Sequence, residues 1–249
     1  MWPLRSETLF VGISHAQVDW QFAGRARQTA SLPVRGADAK QISAMIESPS
    51  MPARLAAVHV VVASGAARHW LQTAPTGLRS LSELQALVQS RAVQLFGADP
   101  AWVVAADWHA TRPFLCAVLP IEIDRLASGM AHTRRATPYL STSLSVALAQ
   151  HARNLPADGW TTLHEPEALH LMYFSAGRLE YLRTAMVPIG LHAVALEGEA
   201  AAEVARSAAL AGGLPTTPLT ILSMSTDPSA TQSGAALNLA TRPDGAATS

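Results

Sequence analysis

The sequence predicts an α/β protein in which helices flank mixed sheets, and three observations support that class. Short runs rich in β-formers alternate with stretches of helical periodicity. A plan of three meandering strands, a helix and a further strand occurs once in the first half and again, shortened, in the second. After Ser225 the periodicity vanishes into Ser, Thr, Gly, Pro and Ala, the composition of a flexible tail.

Taken in order, "TLFVGIS", "AQVDWQFAG" and "RARQTASLPV" read as an antiparallel meander. "ADAKQISAMIES" places Ile42, Met45 and Ile46 at helical spacing and stops before Pro49. "LAAVHVVVAS" is an unbroken apolar run, suited to a strand covered on both faces. "SLSELQALVQSRAVQLFG" is the clearest helix: Ser80 or Ser82 caps it, Leu84, Leu87, Val88 and Leu95 form a stripe, and Gly97 ends it. "AWVVAADW" and "RPFLCAVLP" predict a strand pair, followed by a helix from Ile121 to Gly129. Beyond Pro138, "YLSTSLSVALAQHARNL" predicts another helix. Three strand-like runs lie between Trp160 and Pro188, then an alanine-rich helix with a Gly212-Gly213 stop, then a last strand, "LPTTPLTILSM".

The 249 residues are long enough for a sizeable core, and 49% are hydrophobic against 14% charged, which excludes a disordered chain. Net charge is zero, which argues against a nucleic-acid partner. Lys40 is the only lysine, so neither a P-loop lysine nor a Schiff-base lysine is expected elsewhere. Cys116 stands alone in "FLCAVLP"; it cannot form a disulfide within the chain and reads as a small buried hydrophobe. No secretory signal and no apolar run of spanning length is evident, and the expectation is a cytoplasmic protein without a membrane span.

Two stretches carry a family resemblance. "VVASGAARHWLQTAPTGLRSLSELQALVQSRAVQLFGADPAWVVAADWHATRPFLCAVLP" and "TPYLSTSLSVALAQHARNLPADGWTTLHEPEALHLMYFSAGRL" resemble segments of PilM-like and GspL-like proteins of type IV pilus and type II secretion systems. The carriers are a strand ending near an aromatic, a "SxxEL" helix closed by Phe-Gly, and a Trp-led strand. The likeness spans roughly residues 8 to 224 and contains no invariant chemical motif. It implies an actin-like fold, that is, a duplicated RNase-H-like core. The first subdomain would be 1–135, the second and shorter one 136–224, and the tail 225–249.

The resemblance further implies a cytoplasmic scaffold, peripheral to the inner membrane, that binds an extended peptide from a PilN-type membrane partner. Residues 237–243, "LNLATRP", look like such a peptide carried in cis, which opens the way to self-association. In an extended chain Leu237 and Leu239 point the same way and Asn238 the other, with Arg242 and Pro243 following. The plainer alternative is an incidental leucine pair in a tail. Trp70, placed in a loop beside Pro75, is the aromatic expected to face the partner.

An actin-like ATPase needs two phosphate loops and a nucleoside-binding turn. At the first, Ile13-Ser14-His15-Ala16 stands where an acidic residue and a glycine are expected; Ser14 and His15 can hydrogen-bond a ligand, but a capped turn is the plainer explanation. At the second, Glu165 precedes Pro166, which lacks a donor. At the third no Gly-Gly follows the last strand, while Glu203 and Arg206 lie on the preceding helix where a base would be faced, a solvated helix face being the commoner explanation. These departures predict a protein that is not an enzyme and needs no cofactor, leaving ATP binding without turnover open. His164, Glu165 and His170 match no strong zinc spacing, so no metal is expected. Asp107-Trp108-His109 lacks a marked nucleophilic serine. The alternatives are an active ATPase of the actin and sugar-kinase superfamily, or an adaptor in another envelope machine.

Overall fold

The computed structural model describes residues 7–14, 17–22, 28–31, 44, 55–78, 80–97, 102–109, 111–165, 168–187 and 193–223. A five-stranded sheet is built from β1 (Glu7–Ile13), β2 (Gln17–Phe22), β3 (Gln28–Ser31), β4 (Leu55–Val62) and β8 (Thr137–Thr142), in the order β3-β2-β1-β4-β8. The meander β1-β2-β3 is antiparallel, whereas β4 and β8 run parallel to β1. A second sheet repeats this as β11-β10-β9-β12, from β9 (Gly159–Glu165), β10 (Ala168–Ser175), β11 (Arg178–Met186) and β12 (Leu219–Ser223). Again the meander is antiparallel and the added strand parallel to the first. The duplication expected from the sequence is therefore present.

Between β4 and β8 an insertion forms a third sheet. It consists of β5 (Arg68–Gln72), β6 (Trp102–Ala106) and β7 (Phe114–Pro120), ordered β5-β7-β6, with helix α1 (Leu81–Phe96) on one face. Ser80 caps α1 by accepting from the Glu83 N–H, and Leu84, Val88 and Ala92 form its buried stripe. Cys116 is fully buried here, and burial pushes its thiol up, with Asp107 adding to the effect, as expected of an inert core residue.

Helix α2 (Ile121–Arg134) lays Ile123, Leu126, Ala127 and Met130 on the first sheet, against Leu9, Val11, Val58 and Val60. Helix α4 (Ala193–Leu210) lays Leu196, Ala200, Val204 and Ala208 on one face of the second sheet, against Trp160, Leu169 and Leu171. The other face of that sheet presents Leu163, Met172 and Phe174 to Leu144 and Ala147 of α3 (Ser143–Gln150) and to Leu115 of β7. This last cluster joins the insertion, α3 and the second sheet. No helix among the described residues is long and apolar enough to cross a membrane.

Two local expectations change. The stretch from Tyr139 to Thr142 is strand, not helix: it pairs with β4, and α3 begins only at Ser143, where Thr142 and Ser145 form a reciprocal capping box. The first sheet therefore continues to Thr142, past a division at residue 135. Residues 68–72 are strand, paired with β7, rather than loop. The helix expected between Lys40 and Pro49 lies outside the described residues, apart from Ala44, which is helical.

Candidate functional site

The first residues after β4 and β8, and the last residue of β9, converge. Parallel strands present their carboxyl ends on one side, and in open α/β sheets the crevice at those ends is where ligands bind. Here the Ala63 N–H donates to the Ile13 carbonyl at 2.7 Å, which ties the turn after β4 to the end of β1. Ser64 comes next, in that turn. Ser143 opens α3 directly after β8. Glu165 closes β9 and is buried, with 3% of its surface exposed.

The Glu165 carboxylate fills the crevice with its own bonds. Oε2 accepts the Ser64 backbone N–H at 3.0 Å. Oε1 accepts the Ser143 hydroxyl at 2.6 Å and the Ser64 hydroxyl at 3.0 Å. His170, fully buried on β10, sets Nε2 3.0 Å from Oε1 and 2.7 Å from Ser64 Oγ. An ionised carboxylate only accepts and the single Ser64 hydroxyl proton is already committed to it, so Nε2 must carry the proton donated here. On the far side of the ring, Nδ1 meets Thr184 Oγ1 of β11 at 2.9 Å.

Burial acts to raise the Glu165 carboxyl. The hydrogen bond and charge of His170, the Ser143 hydroxyl and the Ser64 N–H outweigh it and hold the group down at about 2. His69 of β5 sits edge-on to His170, with ring centroids 5.6 Å apart. Part of His69 reaches the surface, yet both ring nitrogens are covered and neither has a partner among the described residues. Desolvation, together with the neighbouring His170 and against the pull of Glu165, lowers its pKa to about 3, so the ring is neutral. Among the described residues no group of three His, Cys, Asp or Glu is arranged to hold a metal ion.

Strand alternation explains which sequence candidates meet. Glu165 and His170 meet diagonally across the β9-β10 hairpin on the face toward α3, while His164 points to the opposite face. Glu203 and Arg206 stand on α4, behind the sheet. Arg206 bonds Glu203 at 2.9 Å, and Glu203 also lies 3.4 Å from Arg183 of β11. They form an ion-pair cluster, with Glu203 buried and Arg206 exposed, on the face of the second sheet opposite Glu165. Ser14 is half-buried at the end of β1; His15 lies outside the described residues. Leu237, Asn238, Leu239, Arg242 and Pro243 lie outside them too.

Trp70 requires a correction. It is 7% exposed and packs its ring on Phe96, 5.7 Å between centroids, within the core of the insertion. The reason is register: in β5, Trp70 faces α1 while His69 faces the second sheet. It is a core residue, not a partner-facing one. A cleft of about 760 Å³ does open nearby, between the turn at Pro75–Leu78, the first turn of α1 and the Trp108–His109 loop. In that loop His109 Nδ1 accepts the Thr111 N–H at 3.2 Å, a local turn bond rather than part of a relay.

Ser64, Ser143, Thr184 and His69 were invisible to pattern reading. Ser64 is 101 positions from Glu165, and no motif spacing connects them. The available signal was indirect: a lone carboxylate inside a strand run, with no lysine or arginine at its side, needs donors from elsewhere.

No known protein family matches this sequence, and no curated protein does. Solved structures do. A protein of unknown function with an actin-like ATPase fold, from Bacteroides thetaiotaomicron, superposes with a TM-score of 0.57 at 10% identity, over 91% of this chain and 86% of that one. The PilM–PilN type IV pilus biogenesis complex gives 0.47 at 16% identity, over 82% of this chain and 66% of that one. The cytoplasmic domain of EpsL, an inner membrane component of the Vibrio cholerae type II secretion system, gives 0.47 at 12%, over 89% and 84%. With the duplicated sheets, the first of these identifies the fold of this chain as actin-like.

Proposed function

We propose that this chain is a non-catalytic actin-like scaffold of a type IV pilus or type II secretion assembly platform. Its partner would be the extended N-terminal peptide of a PilN-type inner-membrane protein, which keeps the scaffold at the cytoplasmic face of that membrane. One observation supports the non-catalytic reading. The carboxylate at the second phosphate-loop position is already engaged by Ser64, Ser143 and His170, with three of the four contacts on Oε1, so it is committed to the protein's own groups rather than held open for a magnesium-bound water. The sequence supports the same reading, with no acidic residue and glycine in the turn after β1 and Pro166 where the second loop needs donors. Support for the machine and the partner comes from the sequence resemblance over residues 8 to 224. No cofactor is required, and ATP binding without turnover is compatible with this role.

The experiment has two arms, both on the full chain. Calorimetric titration with a Leu-Asn-Leu peptide should give binding heats, strengthened in a Leu237→Asp with Leu239→Asp variant that removes competition from the chain's own copy. Flat heats in both proteins would reject the peptide-binding role. Incubation with Mg-ATP should release no phosphate above background; steady turnover would establish the ATPase alternative instead.

A further inference from the structure

The contact of the second sheet with α3, β7 and the turn after β4 has two parts of different character. One is apolar: Leu115, Leu144 and Ala147 against Leu163, Met172 and Phe174. The other is the polar cluster around Glu165. Apolar contacts are non-directional and survive small sliding movements, whereas hydrogen bonds demand distance and angle. We propose that Glu165 is a clasp, with Ser64 and Ser143 as its catches, that holds the crevice shut over the apolar cluster, which serves as the hinge.

Three features support this. The catches come from two separate elements, the turn after β4 and the start of α3, so one carboxylate cross-links the ends of β4 and β8 to the end of β9. The clasp residue is itself held from behind: His170 braces Oε1 and is anchored in turn by Thr184 of β11. Finally, β5 brings His69 against His170, so the insertion meets the same point. The titratable groups facing the carboxylate are therefore His170 from β10 and His69 from β5; Ser64, Ser143 and Thr184 bring no charge. In ligand-driven closure the bound molecule supplies such bridging bonds; here the protein supplies them, whether or not a nucleotide binds.

Hydrogen-exchange mass spectrometry on the full chain tests the clasp with Glu165→Ala and with the Ser64→Ala, Ser143→Ala pair. Exchange in residues 62–67, 142–150 and 159–165 should rise about tenfold or more, while β1 and β2 keep wild-type protection. Solution scattering should show a larger radius of gyration. Glu203→Gln, on the opposite face of the second sheet, should leave all of these unchanged. Should either main variant fail to fold, Ser143→Ala alone gives the same readout. Unchanged exchange in the three segments would overturn the clasp, as would a uniform rise through both sheets, which signals general loss of stability.

Discussion

The hydroxyl of Ser143 donates to Oε1 of Glu165 at 2.6 Å, joining the first residue of α3 to the last residue of β9. It is among the shortest hydrogen bonds of the described residues, and it ties the helix that follows the first sheet to the second sheet. Charge-assisted O–H···O⁻ bonds fall in this range and are roughly twice as strong as neutral ones.

Ser143→Ala should destabilise the protein by about 1–3 kcal/mol, because a buried carboxylate loses a donor that water cannot replace. Ser64→Ala acts on the same oxygen. The two substitutions share an acceptor, and their effects should be non-additive by about 0.5 kcal/mol or more. Urea unfolding of the two single variants and the double variant measures this; strict additivity would mean that the hydroxyls act independently.

Acid should weaken the fold in two stages. His69, its ring nitrogens covered and its pKa lowered to about 3, resists a proton that the unfolded chain accepts near 6.5. Stability is therefore full above pH 6.5 and declines as pH falls below it. Glu165, held at about 2 against an ordinary 4.5, contributes stability above pH 4.5 that is lost between there and pH 2. In His69→Phe the ring keeps an edge against His170 and has nothing to protonate, so melting temperature should fall less from pH 6.5 to 5 than in the wild type, the remaining slope coming from His59, whose pKa burial also lowers. A slope equal to that of the wild type would locate the first stage elsewhere.

Gly159 starts β9 with φ of +118°, and a Cβ there would lie 2.7 Å from Pro218 Cγ and 2.8 Å from the Pro218 carbonyl oxygen. That oxygen accepts the Trp160 N–H at 2.8 Å, so it cannot retreat without breaking the start of the β9-β12 ladder. Gly159→Ala combines backbone strain with overpacking and should cost about 2 kcal/mol or more. Thermal melts would detect this, and a loss below about 0.5 kcal/mol would show that the turn relaxes freely.

Trp70→Ala should remove about 3–5 kcal/mol, the usual range for deleting a buried tryptophan. Its effect should appear as faster exchange throughout α1, β5 and β7. A stable variant with weakened peptide binding would instead restore Trp70 to a partner-facing role.

The repeated strand-helix plan was legible in the sequence because period and punctuation are local properties. The spacing of Leu84 and Val88 with the Ser80 cap defines α1, and the alanine-rich run up to Gly212-Gly213 defines α4. The same holds for the missing acidic residue after β1, since absence of a residue type can be read directly. Only the folded chain revealed the site. Pairing across the β9-β10 hairpin put Glu165 and His170 on one face and His164 on the other, and long connections brought in Ser64 and Ser143. Trp70 and the strand from Tyr139 to Thr142 were misassigned for a related reason: β5 and β8 are defined by the neighbours they bond, and hydrogen bonding between distant strands leaves no local periodicity to find.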